Sequence, residues 1–393
     1  MKNLLIISFF HSSQHHVGAI RTQRFAYYLP MFGWRPYILT KAPTTGSNDQ
    51  PVKEPDDTFY VTSIPLNKPF HLESLIWVPP MLRRAVEILR KVQIGVVLVS
   101  CPPFHQALAG ILLKKLLDIK LVVDYRDAWS LNPYYPRLGW FHSFVLQGDR
   151  IMEDRLLRNV DLLVVSHQSM KENYLKRFSF LEDKIEVVYN GFDPGSIKSG
   201  ESPLFPEFTI LHLGDFYAKQ KSRDPGLFLA ALQSMISEEK ISADRFRVLF
   251  IGERYAEIEK AISSKGLSTY VSCLDRVPHH IALEYLNKSH MLLLIETRDV
   301  MTTKVFEYLA TGKPILALIS NNELKALIEK YSSNSYVITI PDVQKIKDSI
   351  RHCYKNYCRN VAPLFEEFRQ TFSRKNQTAV LALKLEKLLQ VRQ

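Results

Sequence analysis

The densest run of residues able to do chemistry is DVMTTKVFEYLATGKP, Asp299 to Pro314. An apolar run, MLLLI, precedes it and reads as a buried strand, ETRDVMTT as a polar loop, and KVFEYLAT as a helix that Gly312 caps and Pro314 stops. Thr302 or Thr303 is expected to cap the helix start. The first amides would then face the loop, where free N–H groups and the macrodipole attract phosphate. Glu307 falls in an otherwise apolar turn, Val305 to Leu309. A carboxylate there needs a partner; a ribose diol would serve, and a nearby Lys is the ordinary alternative.

Other segments carry compatible chemistry. HLGDFY (212–217) reads as a strand ending at Gly214, where a missing side chain lets backbone approach a diphosphate. Arg223 stands just before DPGLFLAAL, a helix start. Near the N-terminus His11, His15 and His16 crowd the loop before Gly18, but three His without carboxylates do not define a metal site, and none is expected. DYRDAW closes another strand, and an internal pair between its Arg126 and Asp127 that fixes the loop is the ordinary reading.

Repeated apolar strands and amphipathic helices must position these residues. The first half holds NLLIISF, PYILT, FYVTSI, VVLVS, LVVDY, LLVVS and IEVVY; the second holds FTILHLG, RVLFIG, YVSCL, MLLLI, PILALI and YVITI. Short β-branched runs without strict alternation suit parallel strands covered by helices on both faces. Between the halves, NGFDPGSIKSGESPLFPEF is rich in Gly, Pro and Ser and reads as a connection. The expected architecture is α/β, with two doubly wound Rossmann-like domains facing across a cleft and binding at the carboxyl ends of their strands. The domains are placed at 1–190 and 209–370, joined by a linker over 191–208. A C-terminal helix in 371–393, with Val380, Leu383 and Leu388 as its apolar stripe, is expected to pack back on the first domain.

Composition sets bounds. At 393 residues, 46% hydrophobic and 23% charged, the chain is long enough for two cores and ordinary for a globular protein. No apolar run reaches the roughly 20 residues of a membrane span, and MKNLLIISFF reads as a first strand rather than a signal segment. The four scattered cysteines suggest free thiols in a reducing cytoplasm. A net charge of +11 implies acidic partners. Without a zinc-finger spacing or aromatic nucleic-acid motif, nucleic acid is not expected among them. Arg83, Arg84, Arg90 and Lys91 around MLRRAVEILRKV, with Trp77, Trp140 and Phe141, suggest docking on an anionic membrane surface.

Lys-x-x-Glu-Tyr-Leu-Ala-x-Gly-x-Pro, Lys304 to Pro314, resembles the signature of retaining GT-B glycosyltransferases of the family 4 type. The resemblance implies a nucleotide-sugar donor, no metal cofactor, and two acidic residues eight positions apart. Glu307 would bind ribose, and Asp299, a shorter residue than the family's Glu, would meet the sugar. It also implies that Gly214 and Arg223 hold the diphosphate, with Lys219 in reserve, while Asp215 stands where the family often has a second cation. Thr302, Thr303 and Lys304 would face the donor phosphates, and the backbone around Val277 would read the base. In the first domain Gly18 faces the donor, while His16, Arg21, Arg126 and Asp127 lie on the acceptor side, Asp127 near the reacting sugar. Asn190-Gly-x-Asp193 matches the family's hinge.

The function implied is transfer of a sugar, with retention, to a glycan or lipid-linked acceptor in cell-surface polysaccharide biosynthesis, by a cytoplasmic protein peripheral to the membrane. Arg223, Asp127 and Asp299 are the expected catalytic residues. A non-catalytic nucleotide-sugar-binding or assembly protein, or an epimerase of the same fold, are the alternatives. A dehydrogenase is a poorer rival, since no strand is followed by G-x-G-x-x-G.

Overall fold

The computed structural model describes residues 1–11, 17–43, 57–63, 70–133, 142–197, 203–216, 221–340, 342–356 and 366–390. They form two compact units, Met1–Asn190 with Arg374–Gln393, and Gly191–Ser373.

The first unit holds β1 (Lys2–Ser8), β2 (Trp34–Lys41), β3 (Thr58–Val61), β4 (Val96–Cys101), β5 (Lys120–Tyr125), β6 (Leu162–Val165) and β7 (Ile185–Val187). They lie parallel in the order β3-β2-β1-β4-β5-β6-β7. Its helices are α1 (Val17–Tyr28), α2 (Phe70–Lys91), α3 (His105–Leu117), α4 (His142–Asn159) and α5 (Gln168–Arg177). Each central strand is buried on both faces, which explains why these strands read as unbroken apolar runs.

The second unit holds β8 (Phe208–Leu213), β9 (Phe246–Ile251), β10 (Val271–Leu274), β11 (Met291–Glu296), β12 (Ile315–Ile319) and β13 (Tyr336–Ile338). All are parallel, in the order β10-β9-β8-β11-β12-β13. Its helices are α6 (Gly226–Glu239), α7 (Ala256–Ser264), α8 (His279–Lys288), α9 (Lys304–Ala310), α10 (Asn322–Tyr331), α11 (Val343–Asn356) and α12 (Glu366–Phe372). Strand order reverses between β8 and β11, and doubly wound sheets bind ligands beyond the carboxyl ends of strands at such a point.

The last helix, α13 (Arg374–Gln390), belongs to the first unit, where Leu381 and Leu385 pack with Leu4, Ile6 and Phe25. Its buried face differs from the expected stripe: Leu383 is exposed, and residues 377, 378, 381, 382 and 385 form the inner row. The described part of 191–208 belongs to the second unit. Phe192 is fully buried, stacks on Phe368 and bridges to Ser373, so local turn composition concealed a packed segment. Trp77 cannot contact a membrane as expected, because it lies wholly within the first core, edge-on to Phe9. Trp140 and Phe141 lie outside the described residues.

One buried ion pair ties the first unit together. Asp124 on β5 is fully buried; it accepts from Arg21 Nε at 3.0 Å on both oxygens, from Arg21 Nη2 at 2.7 Å and from Ser100 Oγ at 3.0 Å. Arg21 also donates to Asn190 Oδ1 at 3.2 Å, so α1, β4, β5 and the end of the unit meet on one guanidinium–carboxylate pair. Removing one partner strands the other as a buried charge. Asp124→Ala is expected to lose about 3–5 kcal/mol in denaturant unfolding; a loss below about 1 kcal/mol, the level of a surface pair, would contradict this.

Candidate functional site

At the carboxyl end of β8 the chain turns through Gly214 at φ +105°, a conformation that suits glycine. The empty side-chain position is filled from elsewhere: a Cβ there would lie 2.6 Å from Lys304 Nζ. Lys304 opens α9 and donates to Leu213 O, while Leu213 N donates to Tyr308 Oη at 3.0 Å. Both backbone groups of the last β8 residue are thus held by one face of α9. Burial, with Arg223 adding to it, pushes the Lys304 amine down to about 7, against the pull of Asp215 and Glu296.

Arg223 sits in the turn before α6, and its Nε lies 2.6 Å from Glu296 Oε2. Glu296 ends β11 and is 1% exposed, and a buried carboxylate needs such partners; the Arg298 amide also donates to its Oε1 at 3.3 Å. Thr297 fastens the turn itself, its amide and hydroxyl donating to Ser222 O at 2.9 and 3.1 Å. Lys219 lies outside the described residues.

Asp215, in the place of a second cation, holds one instead. Arg276 donates to it through Nε at 3.1 Å and Nη2 at 2.5 Å, and Nη2 also reaches Glu253 at 2.9 Å. Burial pushes the Asp215 carboxyl up, but the Arg276 guanidinium and the Glu253 amide outweigh it and hold it below the usual range. Beside this network runs a shallow groove lined by Gly214, Gly252, Tyr255 and Cys273. Val277 is half-buried in the segment that leads from Arg276 into α8.

Glu307 finds a partner that was not foreseen: His279 Nε2, at the head of α8, lies 2.9 Å from Glu307 Oε1. Asp299 accepts from Asn321 Nδ2 at 2.6 Å, and the same Asn321 caps α10 through the Leu324 amide at 2.7 Å. The expected threonine cap is absent. Thr302 is buried, Thr303 has helical dihedrals, and neither side chain bonds the α9 amides, because the chain enters the helix already wound. Lys313, also overlooked, is buried and donates to Leu286 O, Asn287 O and Ser289 O at the end of α8.

The second unit therefore brings together Gly214, Lys304 and Arg223, with Val277 and Glu307 on the elements packed beside them and Asp299 at the head of α10. Thr302 and Thr303 also belong to the second unit, and the expected acceptor-side residues and Gly18 belong to the first. Gly18 is buried in α1, and Arg21 is engaged with Asp124. Arg126 and Asp127 pair at 3.4 Å, with Asp127 exposed, and His16 lies outside the described residues. The DYRDAW loop is anchored from below: Glu153 on α4 accepts from Ser130 Oγ and from Tyr174 Oη at 2.6 Å, and Trp129 N donates to Tyr174 Oη at 3.1 Å. Burial raises the Glu153 carboxyl, with Ser130 and Tyr174 opposing. Two partners had a visible signal, Glu296 and Asp124, each a carboxylate at the end of an apolar strand. His279 had none.

Residues 18–196 match the model of Glycosyltransferase Family 4, and residues 207–356 match that of Glycosyl transferases group 1. The chain belongs to these glycosyltransferases. Among solved structures, sucrose-phosphate synthase from Thermosynechococcus elongatus is similar over 100% of both chains, with TM-score 0.73 at 13% identity. Anabaena HepE in complex with UDP is similar over 98% of this chain and 100% of that one, with TM-score 0.69 at 15% identity. A UDP-N-acetylglucosamine 2-epimerase is similar over 99% and 95%, with TM-score 0.59 at 16% identity. At such identities the likeness establishes the GT-B fold. No curated protein matches the sequence.

The Lys304 amine has a consequence for stability. The unfolded chain keeps a lysine protonated up to about 10.5, whereas the fold holds this one at about 7. Between those values the unfolded state binds more protons, so Lys304 makes stability rise with pH. In Lys304→Met the rise measured by denaturant unfolding between about pH 7 and about pH 9 is expected to be shallower, by up to about 1.4 kcal/mol per pH unit. Identical slopes in both proteins would contradict the burial of this charge.

Proposed function

We propose that this glycosyltransferase moves a sugar from a nucleoside-diphosphate sugar to a glycan or lipid-linked acceptor, with retention, in cell-surface polysaccharide biosynthesis. The observation that carries the reading is the Gly214 turn flanked by Lys304 and Arg223, with Glu307 one turn further along α9. In this reading the diphosphate lies beside the half-buried Gly214 turn, Arg223 and Lys304 offset its charge, and Glu307 takes the ribose. Asp299 and Asp127 face sugar and acceptor. HepE, similar in fold, was solved with UDP, which supports a nucleotide donor.

The difficult step is loss of the diphosphate from the anomeric carbon, since negative charge grows on the leaving oxygen. Preorganised donors aimed at that oxygen are worth most where they need no rearrangement. Glu296 already holds Arg223 in one orientation, so the guanidinium costs little to place. With retention, the acceptor attacks from the face the diphosphate leaves, and the departing phosphate takes the acceptor's proton. No pair of carboxylates of the hydrolase kind is then required.

A second reading, epimerisation, is favoured by the likeness to a UDP-N-acetylglucosamine 2-epimerase. UDP-N-acetylglucosamine incubated with the protein alone separates the two: an epimeric product supports the epimerase, and acceptor-dependent sugar transfer supports the transferase.

No helix among the described residues is long and apolar enough to cross a membrane. We infer docking on the anionic inner membrane surface through α2, where Arg83, Arg90 and Lys91 are exposed. Co-sedimentation with anionic vesicles, weakened by salt, is expected; indifference to lipid charge and salt would contradict it.

Glu307→Ala and Arg223→Ala should each lower nucleoside-diphosphate release from the preferred nucleotide-sugar at least ~100-fold. Circular dichroism checks folding, since Arg223→Ala removes the guanidinium partner of the buried Glu296. Near-normal release by both folded variants would sink the assignment.

A further inference from the structure

The pair between His279 and Glu307 is placed oddly for a structural one. Its side chains are 31% and 13% exposed, and a hydrogen bond that close to solvent adds only modest stability. Its effect lies in orientation instead. A glutamate has three rotatable bonds, and one oxygen held at 2.9 Å fixes where the other points. A carboxylate offers about four lone-pair directions, so a bond to His279 leaves capacity for both hydroxyls of a vicinal diol.

The direction of control follows from how α8 is fixed. Its inner face, Leu283 and Leu286, is buried. Its last carbonyls are held by Lys313, which lies just beyond the Gly312 turn that ends α9. The two helices are thus braced at their tails by Lys313 and at their heads by His279. Because the tail brace and the core packing place α8 without help from Glu307, His279 meets the carboxylate from a fixed support. His279 also follows directly on Arg276, Val277 and Pro278, so the segment expected to read the base and the residue expected to hold the ribose are joined across one hydrogen bond.

We propose that His279 is a positioning residue: it sets the Glu307 carboxylate for the ribose diol and so makes the site selective for ribonucleotides over 2′-deoxyribonucleotides. The inference rests on the reading of Glu307 as the ribose anchor.

Isothermal titration of the full chain with UDP and 2′-deoxy-UDP tests it, or with the GDP, ADP or CDP pair where that base binds more tightly. Four proteins are compared: the native chain, Glu307→Ala, His279→Ala, and His279→Gln, whose amide can donate where Nε2 does. Native protein should prefer the ribonucleotide, and Glu307→Ala should bind both alike. His279→Ala should lose roughly tenfold in ribonucleotide affinity with about twofold or less change for the deoxy form, the scale of one hydrogen bond to a charged group. His279→Gln should recover most of the loss.

Equal weakening of both ligands in His279→Ala, or no change in either, would overturn the positioning role while Glu307→Ala still abolished the preference. Retention of the preference in Glu307→Ala, or no binding of any of the four nucleotides by native protein, would overturn the ribose reading and the inference with it.

Discussion

The second unit depends on a cation placed where a side chain is missing. Gly214 leaves a space at the end of β8, and the Lys304 amine occupies it, bound to the carbonyl one residue earlier. Holding a charge away from water is costly, so α9 must press against the strand end firmly enough to keep it there. Tyr308 supplies the second point of attachment, and Val305, Phe306 and Leu309 are buried beneath it. A larger residue at 214 would displace the amine, and a shorter residue at 304 would leave the turn unsupported. Glycine and lysine, ninety residues apart, therefore act as one unit.

Among the described residues, two guanidinium groups around that contact have acidic partners. Arg223 is matched by Glu296, and Arg276 by Asp215 and Glu253. Such pairing holds the guanidinium groups in fixed orientations before any ligand arrives, which is the form of electrostatic stabilisation that needs no reorganisation during reaction. With Asp215 in this position, Arg276 beyond the end of β10 is drawn to the turn and shared between Asp215 and Glu253, so the positive charge beside Gly214 comes from Lys304 and Arg223.

Much of this was legible in the sequence. All thirteen strands among the described residues fall on apolar runs visible in the sequence, and the central ones are buried on both faces, as a parallel sheet covered by helices demands. The helix from Lys304 and its stop at Gly312 were readable from local rules. What was not readable is non-local. His279 meets Glu307 only because α8 packs beside α9, and Arg21 meets Asp124 across one hundred and three residues. Phe192 looked like linker because its neighbours are turn formers, though its own ring is core. Leu383 looked buried because its neighbours are apolar, but the row that faces the sheet begins with polar Gln377 and Thr378.

Hydrogen exchange of the backbone amides, with and without UDP-, GDP-, ADP- and CDP-sugars, tests the central claim most directly. If the second sheet holds a nucleotide-sugar at the Gly214 turn, one donor should slow exchange at Leu213–Phe216, around Val277–His279 and at the head of α9. Protection confined to the first unit, or none with any donor, would contradict the account.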